Sequence, residues 1–94
     1  MYIRKVNDLK HPSYMITDWE GEEQYYIYNN WKKDAEEETY LGHEIYEVSR
    51  GFRKIGQSSQ RGELKVLEGG KLLKDTLRAK VFDFCRKDID LQFQ

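Results

Sequence analysis

A chain of 94 residues is long enough for one domain and too short for two. One cysteine excludes an intramolecular disulfide, and apolar runs of only a few residues exclude a membrane-spanning helix. A net charge of -1 argues against a protein devoted to phosphate, while 14% aromatic content argues against disorder, because disordered chains lack the residues that offset ordering entropy.

Tyr2–Val6, β-branched and aromatic, reads as a first strand. His11-Pro12 interrupts it, since Pro disfavours helix in the residue before it. Ser13–Trp19 alternates, with Tyr14 and Ile16 on one face and Met15, Thr17 and Trp19 on the other. Glu20-Gly21-Glu22-Glu23 is a polar turn, and Gln24–Asn29 completes a hairpin with Tyr25 and Ile27 on one face and Tyr26 and Tyr28 on the other. Asn29-Asn30 ends that strand. Trp31–Leu41 reads either as helix, from the spacing of Trp31, Ala35 and Glu38, or as a polar loop.

Alternation resumes over Glu44–Ser49, and Phe52 and Ile55 extend it past Gly51 through a bulge. Gly56–Gly62 carries no apolar side chain and reads as a loop, followed by a hairpin arm at Glu63–Leu67 closed by Gly69-Gly70. From Lys71 the apolar period changes to about 3.6. Leu73, Leu77, Val81 and Phe84 then form one helical stripe, widened by Leu72, Thr76 and Cys85, with Lys74, Asp75, Arg78, Asp83 and Arg86 mainly outside. Ile89, Leu91 and Phe93 alternate with polar residues as a short terminal strand, whose edge could admit a second copy. The expected fold is a single α+β domain over residues 1–94: an antiparallel meander of four or five strands on one C-terminal helix.

The residues that carry chemistry are scattered. His11, His43 and Cys85 fall in no paired-ligand spacing, so two surface histidines and one buried helical thiol are expected in place of a metal site. Cys85 on the apolar stripe reads as an inert small hydrophobe, and Ser58-Ser59 lacks a nucleophile-elbow context. The sequence predicts no catalytic residue, no cofactor and no enzyme. No leader pattern marks Met1–Lys10, so the expected location is cytoplasmic.

Charge is unevenly distributed along the chain. Residues 18–47 hold ten carboxylates against Lys32 and Lys33, whereas residues 48–94 hold eleven bases against six acids. The acidic stretch also holds Trp19, Tyr25, Tyr26, Tyr28, Trp31, Tyr40 and Tyr46. Tyr and Trp bury large areas at low entropy cost, and carboxylates around them steer a basic partner. The leading expectation is therefore a non-catalytic module that binds a protein, with Trp19, Tyr26, Tyr28 and Trp31 as anchors and Glu22, Glu23, Glu36, Glu37 and Glu38 steering. Small size with such a patch suits a phage or mobile-element accessory protein. The alternative is a nucleic-acid or phosphate contact through the Gly-rich basic segment 50–62, using Arg50, Arg53, Lys54 and Arg61 with Phe52 as a stacking residue.

Overall fold

The computed structural model describes residues 1–9, 12–34, 37–58, 64–67 and 73–89. Among the described residues six strands follow one another in both sequence and space, so each pairs antiparallel with the next in the order β1-β2-β3-β4-β5-β6. They are β1 (Tyr2–Lys5), β2 (Tyr14–Thr17), β3 (Gln24–Asp34), β4 (Glu37–Glu47), β5 (Arg53–Gln57) and β6 (Lys65–Val66). One helix, α1 (Leu77–Phe84), packs on the sheet and runs into a π-helical turn over Cys85–Ile89.

The α+β meander is as expected, with more strands than four or five. The extra strand arises at Gly51. Val48–Arg50 forms a 3-10 turn, Gly51 adopts φ 80°, and Phe52 follows at φ 55°. That left-handed pair reverses the chain, so the expected bulged continuation is two strands, β4 and β5, joined by a tight turn. A bulge does occur next to it: the β4–β5 register slips between Ile45 and Tyr46, leaving Ile55 as the extra residue on β5.

Within Trp31–Leu41, expected as helix or loop, the described residues 31–34 and 37–41 are strand. β3 runs on through Asn29-Asn30 to Asp34, and β4 starts at Glu37, making one long hairpin. The asparagines do not end the strand because long-range partners hold Asn29. Its backbone N–H donates to Ser13 Oγ at 3.2 Å, and its Nδ2 donates to the Pro12 carbonyl at 2.7 Å. Beyond it Trp31 pairs with Tyr40 across the strands, rings 5.1 Å apart, after a register shift beyond Asn30. Gly56 and Gln57, expected in a loop, belong to β5, where Gly56 opposes Val66. Ser58 follows β5 outside the strand, as expected, and residues 59–62 of that loop lie outside the described residues; Ile89, expected to open a terminal strand, ends the π-helical turn instead, and the rest of that strand lies outside them too.

The core lies between one sheet face and α1. Tyr14, Ile16, Tyr25, Ile27, Ile45 and Ile55 meet Val81, Phe82 and Cys85 there, with Leu77 and Phe84 packed at its margin. The helix begins later than its apolar period implies. Thr76 caps it, Oγ1 accepting from the Ala79 N–H at 3.2 Å, so Leu73 stays outside and 67% exposed. Phe82, absent from the expected stripe, is fully buried against Gly56; a Cβ on that glycine would lie 2.8 Å from Phe82 Cζ. Arg78, expected outside, turns inward to a buried carboxylate, Glu47, with a 2.6 Å ion pair. No helix among the described residues is long and apolar enough to cross a membrane.

Candidate interface on the open face of the sheet

Strand alternation divides the sheet into two faces of different chemistry. On the helix side, β3 and β4 place Tyr25 opposite Glu47, Ile27 opposite Ile45 and Asn29 opposite His43. On the other side they place Tyr26 opposite Tyr46 and Tyr28 opposite Glu44. No described element covers this second face.

Four rings meet there. Tyr46 and Phe52 stack at 4.9 Å with planes 15° apart, and Tyr26 lies 6.2 Å from Phe52 and 6.4 Å from both Tyr46 and Tyr28. Phe52 reaches the group only because of its left-handed backbone after Gly51, and it remains 54% exposed. The Tyr46 hydroxyl donates to Glu44 Oε2 at 2.5 Å. That bond, followed by burial, pushes its pKa up to about 12, so it is a neutral donor at any physiological pH.

Next to the rings lies a cleft of about 320 Å³ lined by Tyr2, Arg4, Met15, Thr17 and Gln24. Met15 opposes Tyr26, so the cleft borders the ring cluster. At its far side Trp19 and Tyr2 meet edge-to-face at 4.5 Å, both largely exposed. The open face therefore carries two aromatic groups with a shallow cleft between them.

The expected anchors are not all on this face. Trp19, Tyr26 and Tyr28 are; Trp31 continues the helix side, in line with Tyr25, Ile27 and Asn29, beside Tyr40. Tyr40 in turn contacts His43, whose Nδ1 lies 2.5 Å from the Tyr40 hydroxyl and 3.0 Å from Ser58 Oγ. His43, expected on the surface, is fully buried in this hydroxyl-lined corner, because a strand residue opposite Asn29 must face the core side. His11 lies outside the described residues. Sequence reasoning assigned Phe52 to the basic segment and did not group it with the tyrosines; its stacking depends on a chain reversal that only the positive φ reveals.

The steering carboxylates are divided between the two ends of β3. Glu22 and Glu23 belong to the β2–β3 turn, where Glu22 N–H donates to Asp18 Oδ1 at 2.7 Å and Glu23 lies 3.1 Å from the Tyr25 hydroxyl. Glu37 and Glu38 begin β4 at the far end of the hairpin, and Glu36 lies outside the described residues. Ten strand steps separate the two ends, roughly 33 Å.

The basic segment is largely matched by acid. Arg53 lies 3.5 Å from Glu47, and Lys54 lies 3.7 Å from Glu44 while donating to Gln57 Oε1 at 2.9 Å. Arg50 sits at the 3-10 turn beside Glu47, and Arg61 lies outside the described residues. Glu47 is the hub. Burial alone would raise its carboxyl, but the Arg78 guanidinium, assisted by the Tyr25 hydroxyl and Arg50, outweighs burial and holds it below the ordinary carboxylate range. Tyr25, buried beside the Glu23 and Glu47 carboxylates, is pushed up to about 12.

Among the described residues no three His, Cys, Asp or Glu side chains group to hold a metal. Cys85 is buried in the core. No protein-family model, curated protein or solved structure matches the chain.

Proposed function

We propose that this chain is a non-catalytic binding module that recognises a protein partner through the open face of its sheet. One observation carries the reading: Tyr26, Tyr28, Tyr46 and Phe52 form a stacked cluster on an uncovered face, beside a cleft whose Tyr2 packs on Trp19. Exposed rings of this kind stand to gain most from burial against another protein, since each brings large area, few rotatable bonds and, for Tyr, a fixed donor. The anchors are Trp19, Tyr26, Tyr28, Tyr46 and Phe52; Trp31 is replaced because it lies on the opposite face. Carboxylates at both ends of β3 favour a partner with basic flanks.

The nucleic-acid reading has less support. Phosphate binding needs cations free to displace counterions, and Arg53 and Lys54 already face Glu47 and Glu44. A base needs an open ring face, and in the cluster Tyr46 and Phe52 are stacked on each other.

The experiment is chemical cross-linking and capture from the native host, comparing the wild type with a Trp19→Ala, Tyr28→Ala, Phe52→Ala variant. These three side chains are exposed, so the variant keeps its melting temperature. A protein captured by the wild type, resistant to nuclease and lost with the variant, supports the reading. Capture unchanged by the variant, or abolished by nuclease, refutes it.

A further inference from the structure

A second surface lies at the opposite edge of the sheet from β6. β1 pairs with β2 alone, all four of its residues are exposed, and the N–H and C=O groups of its outer edge have no strand beside them among the described residues. Such an edge is a template for another strand. Between β1 and α1 opens a cleft of about 430 Å³. Its floor is apolar: Met1, Ile3 and Phe84, the last held by an edge-to-face contact with Tyr14 at 5.2 Å. Its rim is cationic, with Lys80 and Lys87 from the helix side. Lys5 shares the Ile3 side of β1 by strand alternation. Asp83, the one acid among the described rim residues, faces Arg86 at 3.9 Å. Neither Lys5, Lys80 nor Lys87 has an ion pair with a described residue, and nor does Arg4, on the other side of the strand.

From this edge and its charges we infer that β1 and the adjoining cleft take an extended acidic peptide, added to the sheet as a strand, that turns an apolar side chain flanked by carboxylates toward the cleft. Backbone pairing fixes the peptide along β1, and the apolar side chain drops onto Met1, Ile3 and Phe84. Carboxylates two residues before and after it, on the same side, meet Lys5, Lys80 and Lys87, and a carboxylate on the other side meets Arg4. The unpaired strand edge decides for a peptide over an amphipathic small acid, which would leave the β1 backbone groups to water. The apolar floor and lysine rim of this site lie on the helix side of the sheet, and it borders the aromatic face at Arg4, which lines the cleft there.

The probe is an acetylated, amidated heptapeptide with leucine at position 4, aspartate at positions 2, 3 and 6 and threonine elsewhere, titrated into the full chain and followed by amide chemical shifts. The largest shifts should fall on Tyr2–Lys5 and Lys80–Lys87. Lys80→Glu with Lys87→Glu should weaken binding about tenfold or more while leaving the melting temperature unchanged, and added salt should weaken it progressively. N-methylation of alternate peptide amides should abolish binding, because it removes the donors to β1. Three results overturn the inference. One is equal binding of the N-methylated peptide or of a fatty acid with the same lysine dependence. Another is a dimer formed through β1 at the same concentrations. The last is binding only after residues 90–94 are removed, which would assign the edge to the chain's own end.

Discussion

Gly56→Ala tests the contact on which the sheet and helix depend. The new Cβ would lie 2.8 Å and 2.9 Å from Phe82 Cζ and Cε1, and 3.2 Å from Ile45 Cδ1. Ordinary contact begins near 3.4 Å, so the ring must retreat by about half an ångström. Phe82, on α1, is fully buried where it meets β5, which places the cost in the overpacking range, about 1–3 kcal/mol. Gly56 lies in a strand without a positive φ, so absent that clash alanine would stabilise by roughly 0.4–1 kcal/mol through the unfolded chain. The two effects differ in sign. Urea unfolding should give a lower midpoint with unchanged slope, and thermal unfolding a fall of roughly 10 °C for a cost of about 2 kcal/mol. In a Phe82→Leu background the ring atoms are gone, and the same change should be neutral or stabilising. A stable Gly56→Ala single variant, or one equally damaging in both backgrounds, would show that α1 does not press on β5 in this way.

Glu47→Gln keeps the side chain's shape but leaves Arg78 without its charge partner; the expected loss is about 2–3 kcal/mol, the usual cost of breaking a buried pair discounted for water reaching Arg78. Because the folded state depresses the Glu47 pKa, that difference between wild type and variant should be complete above pH 4.5 and vanish as pH falls through the lowered folded value, as read by urea unfolding at stepped pH. Alkaline titration followed by tyrosinate absorbance should show Tyr25 and Tyr46 ionising near 12, with stability held below pH 10 and lost as pH rises past it. Glu44→Gln should bring one of these two late ionisations down, because the Tyr46 hydroxyl then donates to a neutral acceptor; no change would refute the Tyr46–Glu44 bond. Phe52→Gly should be better tolerated in the backbone than Phe52→Ala, since residue 52 sits at φ 55°, while both remove the ring from the stack.

The parts of this fold that were legible in the sequence are those set by local period. Tyr14 and Ile16, and Tyr25 and Ile27, alternate as a half-buried strand must, and they form the core as expected. The change to a period near 3.6 correctly located a C-terminal helix. What escaped was decided by partners distant in sequence. Asn29 would end a strand if its amide were in water, yet the Pro12 carbonyl and Ser13 hydroxyl bind it, so the strand continues. Leu73 fits the helical stripe, but the Thr76 cap sets the start beyond it. Phe82 escaped the stripe because its burial depends on a glycine 26 residues earlier presenting no side chain.

Charge illustrates the same division. Along the chain, acids and bases segregate, which suggests two faces of opposite sign. The meander undoes this by laying successive segments side by side, bringing Glu44 and Glu47 of β4 next to Lys54 and Arg53 of β5 and, through α1, next to Arg78. The central part of the acidic stretch is thereby neutralised inside the fold. The carboxylates left for steering are those at the two ends of β3, and the cations left without a described partner include those of β1 and the last turns of the helix. An aromatic face between acidic ends and a cationic strand edge are thus consequences of one topology. Reversing a charge within the neutralised centre should cost stability, whereas reversing one at the β1 rim should alter binding alone.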